Sequence, residues 1–166
     1  MTISPEVKEA YRNVAINGDS ISTLMTVLEN EYGVIDVCQG LKYALKNEVK
    51  DLVEVCIYLG AKLNENYECI ETLNELMISD FHIKHEDVAL LLTKYGNDSS
   101  VPYLQKAAMI QFEYLDFDDS FALGVKCVRA ISAIGGESAR SSLTQLAKSE
   151  NVIVSKKSME LLNKNF

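Results

Sequence analysis

The stretch 88-VALLLTKYGNDSSVPYLQKAA-108 can be laid over 127-CVRAISAIGGESARSSLTQLA-147 with its apolar positions in register. Val88 falls on Cys127, Leu91 on Ala130, Leu92 on Ile131, Tyr95 on Ile134, Leu104 on Leu143 and Ala108 on Ala147. Val88, Leu91, Leu92 and Tyr95 follow the three-and-four spacing that gathers side chains on one helical face. Each copy therefore reads as helix, glycine turn, helix. A pair of helices cannot cover its own apolar stripe, so such units must stack on neighbours.

Working outward, the same periodicity runs through most of the chain. Ser4-Pro5-Glu6 is a helix start: a capping serine, a proline at the first helical position and an early acid. Val7, Ala10, Tyr11 and Val14 form its inner face, and Gly18 is the expected stop. Asp19-Ser20 opens a second helix through Leu24 and Leu28 to Gly33, and a third is expected from about Val34 to Lys46. Asn47 is read as the cap of a fourth helix that closes at Gly60, and a fifth spans roughly Glu65 to Ile78. Past the paired segments, Asn151 caps a last helix, and Val152-Ile153-Val154 is read as its start rather than as a strand. No segment alternates with the period of two that marks a half-buried strand. The expectation is an all-α chain, a right-handed α-solenoid of stacked antiparallel helix pairs. It forms a single repeat domain, 1–166, divergent over 1–64 and more regular over 65–166.

Composition limits what such a chain can do. With 48% hydrophobic and 24% charged residues it has the balance of an ordinary soluble domain. A formal net charge of -8 argues against binding nucleic acid or an anionic membrane and favours a basic partner. The first residues lack the basic start and apolar stretch of a signal peptide, so a cytoplasmic location is expected. Cys38, Cys56, Cys69 and Cys127 form no C-x-x-C pair and sit on apolar stripes, which predicts buried, reduced thiols.

Two constellations invite a chemical reading. In 79-SDFHIKHEDVALLL-92, His82 and His85 precede Glu86 and Asp87. A zinc-protease order would need H-E-x-x-H, and no third histidine exists to complete a catalytic zinc site. With His82 ahead of the helix, the two imidazoles need not face together. Acids in a first helical turn meet unpaired N–H groups and the positive end of the dipole, so a structural helix start is the favoured reading. A metal-dependent enzyme using His82 and His85 is the lesser alternative. No nucleophile–base pair, phosphate-binding loop or dinucleotide fingerprint supports catalysis, and no metal or cofactor is expected.

The second constellation is acidic. Glu65, Glu68, Glu71 and Glu75 are read as a row on the fifth helix, ordinarily a solvated face, with Glu68, Glu71 and Glu75 as candidate partner-binding residues. In 113-EYLDFDDSF-121, the carboxylates Glu113, Asp116, Asp118 and Asp119 interleave with the aromatics Tyr114, Phe117 and Phe121. Rings flanked by charge suit a protein interface, where ring burial supplies energy and charge supplies steering. A capped loop with its rings in the core is the equal alternative.

The segment 128-VRAISAIGGESARSSLTQLAKSENVIVSKKSMELL-162 resembles a HEAT-like repeat through its A-I-x-x-I-G turn, the following A-x-x-x-L and the capped helix after it. The segment 43-YALKNEVKDLVEVCIYLGAKLNEN-66 looks as much like an ankyrin unit. The H-x-x-H-E-D start and the G-x-x-x-x-x-P-x-L turn are similar to those of small bacterial HEAT-like proteins. Some of those are immunity factors against polymorphic or contact-dependent toxins. The resemblance covers about residues 70 to 163 and carries over no catalytic or binding position. It implies a non-catalytic protein that binds and neutralises a toxin domain, such as a basic nuclease; a generic HEAT- or ankyrin-like adaptor is the alternative.

Overall fold

In the computed structural model, which describes residues 1–166, the chain forms ten α-helices and no strand. They are α1 (Pro5–Arg12), α2 (Ile21–Tyr32), α3 (Val37–Asn47), α4 (Lys50–Leu63), α5 (Ile70–Leu76), α6 (His85–Tyr95), α7 (Val101–Ala107), α8 (Ala122–Ile134), α9 (Gly136–Leu146) and α10 (Val152–Asn165). Short 3-10 turns at Asp98–Ser100 and Glu113–Leu115 precede α7 and α8. The chain divides into two compact units, Met1–Glu68 and Cys69–Phe166.

In the first unit α1 packs on α2 and α3 on α4. Leu24, Leu28, Leu41, Leu52 and Leu59 are almost fully withdrawn from solvent. The expected caps at the start are present: Ser4 Oγ accepts from Val7 N, Ser20 Oγ from Ser22 N, and Gly18 and Gly33 take the left-handed conformation. Farther on, three boundaries differ from expectation. Asn47 ends α3 instead of capping α4, because its side-chain amide donates back to the Tyr43 carbonyl. Gly60 does not close α4, which continues to Leu63 and stops at a left-handed Asn64. Gly60 instead makes room for Tyr67, whose hydroxyl lies 2.0 Å from where a Cβ would stand. The fifth helix begins only at Ile70, so Glu65 and Glu68 lie before it.

In the second unit α6 packs on α8, α7 on both α8 and α9, and α10 on both α8 and α9. Leu73, Leu76, Met77, Leu92, Leu104, Ile131 and Leu143 fill the core. Of the two helix pairs expected from the aligned segments, α8 packs on α9, whereas α6 packs chiefly on α8 and α5 rather than on α7. Gly124 on α8 faces the Ala108 carbonyl and Val154 of α10 so closely that a Cβ would come within 3.0 Å and 2.9 Å of them. Val152-Ile153-Val154 opens α10, with Asn151 Oδ1 accepting from the N–H groups of Ile153 and Val154.

Cys56 and Cys127 are free and buried, and burial pushes both thiols up to about 12. Cys69 precedes the first residue of α5 instead of sitting within a helical stripe, so periodicity misjudged its surroundings.

Candidate functional site

The histidines finish one helix as much as they begin the next. The α5 helix ends at Leu76, leaving carbonyl groups without intrahelical partners. His82 Nε2 lies 2.8 Å from the Leu76 carbonyl oxygen, while the Lys84 N–H donates to His82 Nδ1 at 3.0 Å. Three residues later His85 Nε2 lies 2.7 Å from the Ser79 carbonyl oxygen. A carbonyl can only accept, so both imidazoles carry their proton on Nε2. His85 Nδ1 then accepts from the Tyr114 hydroxyl at 2.9 Å. All four ring nitrogens are engaged with the protein itself.

Contrary to expectation, the two rings face each other. They stack with centroids 4.2 Å apart, and His85 stacks on Phe112 at 3.7 Å. Phe81 meets His82 edge-on, and Tyr114 closes the other end. The i→i−6 bonds of both histidines explain the facing: they fold the connection between α5 and α6 back, bringing His82 over the first turn of α6. Burial, then the neighbouring His82, hold the His85 imidazolium down to about 4, and burial lowers His82 as well. Burial also pushes the Tyr114 phenol up to about 12. The Tyr114 proton therefore stays on the phenol, and the pair is a hydrogen bond rather than an activated nucleophile.

Glu86 and Asp87 occupy the first turn of α6, and Glu86 pairs with Lys126 of α8. No group of three or more histidine, cysteine or acidic side chains is arranged to hold a metal ion. Neither Phe112 nor Lys126 stood out in sequence. Phe112 directly adjoins the aromatic–acidic segment and its apolarity was the available signal; nothing in the spacing marks Lys126 as the partner of Glu86.

The segment 113–121 divides between the two readings. Tyr114 is tied down by His85, and Asp118 is consumed locally. Its carboxylate accepts from the backbone of Ser120 at 3.0 Å and of Ala122 at 2.8 Å, joining this loop to the start of α8. The Ser120 hydroxyl also bonds it, and these bonds, led by that hydroxyl, hold Asp118 below its usual range. Phe117 is 98% exposed, with Glu113, Asp116 and Asp119 exposed in the same segment. Phe121 is partly buried and takes a left-handed conformation at φ 50°. Of the expected glutamate row, only Glu71 and Glu75 share a helix, and both are exposed.

Comparison with known proteins finds no matching family, no matching curated protein and no matching solved structure. No helix is long and apolar enough to cross a membrane.

Proposed function

We propose that the chain is a non-catalytic protein-binding module whose contact surface centres on Phe117, and that its partner is a basic protein domain. The exposure of Phe117 carries this reading. A phenylalanine surrounded by water forgoes roughly 1.5–3 kcal/mol of burial free energy, which a partner pocket recovers. The flanking Glu113, Asp116 and Asp119 supply the charge that steers a basic partner, in keeping with a net charge of -8.

The more specific reading, an immunity factor that plugs the positive substrate site of a toxin such as a nuclease, rests on the HEAT-like resemblance of residues 70–163. The right-handed solenoid belongs to the same reading, supported by the packing of α8 on α9 and of α10 on both. So does the occupation of every imidazole nitrogen by protein, which leaves no ring lone pair for catalysis or metal. A cytoplasmic site of action would complete the picture.

Co-expression tests the proposal. The immunity reading expects a toxin gene beside this one, whose product loses its toxicity when produced together with the chain. Growth inhibition that persists at full expression of the chain rejects the immunity reading.

A further inference from the structure

We propose that the His85–Tyr114 contact is an acid-sensitive latch: protonation of His85 opens the 112–121 segment and disturbs the Phe117 surface. The geometry comes first. His85 is wholly buried between His82 and Phe112, with Nε2–H fixed on Ser79 and Nδ1 accepting from Tyr114. A second proton must enter at Nδ1, the atom that receives the Tyr114 hydrogen. Nδ1 then becomes a donor, Tyr114 must turn its own hydrogen to solvent, and the new charge sits between two rings at a fully buried position.

Hydrating that charge requires one side of the stack to move. On the α6 side His85 is held in the first helical turn and by its bond to Ser79. On the other side stands a three-residue 3-10 turn, Glu113–Leu115, whose Tyr114 is already 37% exposed. The weaker side is the loop. The charged and titratable groups around the His85–Tyr114 contact are His82 and Asp80 beside the imidazole, Glu86, Asp87 and the buried Cys127 thiol beside the phenol, Lys84 next to His85 in the chain, and Lys126 of α8. Asp80 favours the imidazolium, but burial and His82 outweigh it. Lys126 offsets Glu86 by pairing with it.

The consequence for binding rests on the proposed role of Phe117; the opening itself does not. Hydrogen exchange of the free, full-length protein reads it at the Leu115 and Asp118 amides, which donate to Phe112 and Leu115. With His85 titrating at about 4 when closed and near 6.5 when open, the opening constant is expected to rise about 30-fold from about pH 7.5 to about pH 5. The rise disappears in His85→Phe, while amides of α8 and α9 stay protected. Unchanged exchange after correction for intrinsic rate overturns the latch. So does an equal rise in His85→Phe, or simultaneous loss of protection along the whole chain. Should His85→Phe fail to fold, NMR titration of the wild-type His85 ring decides: the latch expects an Nε2–H tautomer and a midpoint well below 6.5, and an ordinary midpoint overturns it. Failure of toxin binding would reject the partner reading and leave this result standing.

Discussion

At the scale of single residues, the two buried imidazoles make stability depend on acidity. In the unfolded chain His85 takes up a proton near 6.5, whereas the folded protein resists it down to about 4. Between those values the unfolded state holds more protons, so stability present above 6.5 is lost as pH falls. The His85 shift corresponds to on the order of 3 kcal/mol across the full window, and His82 acts in the same direction. Urea unfolding at about pH 7 and about pH 4 is expected to show this loss, with a smaller loss in His85→Phe. Equal acid sensitivity in both would remove His85 as the source. Tyr114→Phe keeps the ring and removes one hydrogen bond, so a cost of about 1 kcal/mol is expected at neutral pH. From sequence, the choice of a structural role over a metal site could be argued from missing ligands. The facing of the rings could not, because it depends on carbonyls of Leu76 and Ser79 that carry no side-chain signature.

Among elements, caps and close approaches decide the boundaries. Ser4, Ser20 and Asn151 were legible because a side-chain oxygen ahead of an apolar stripe leaves few alternatives. Gly60 was misread because glycine often ends helices, whereas here it yields space to Tyr67, a contact seven residues away that no helical period announces. Asn47 was misread as a start cap because its side-chain amide turns back to the Tyr43 carbonyl of the helix it ends. Gly124 is another such contact: Gly124→Ala meets the rigid Ala108 carbonyl as well as Val154 and is expected to cost about 1–3 kcal/mol. A variant as stable as wild type in urea would mean that α8 can shift away from α7 and α10. Glu48 ends α3 in the left-handed region at φ 52° with its side chain exposed. Glycine relieves that conformation at some cost in unfolded-state entropy, so Glu48→Gly is expected to stabilise by about 0.5–1 kcal/mol. A lower Tm would contradict it.

For the whole molecule, helical class was readable from end to end because apolar spacing is a global signal. The surroundings of Cys69 were not, because it lies ahead of the first residue of α5, where no helical period operates. Of the two acidic candidates, the glutamate row dissolved when α5 proved short, whereas the 113–121 segment kept the almost fully exposed Phe117 ring among carboxylates. The most direct test of that surface is calorimetric titration of the full-length chain with the purified product of the open reading frame beside its gene, where the proposed reading expects a basic toxin domain. Tight binding that weakens about 30-fold or more in Phe117→Ala, as for a central interface aromatic, is the expected result. No binding, or equal affinity of the variant and the wild type, would contradict the account.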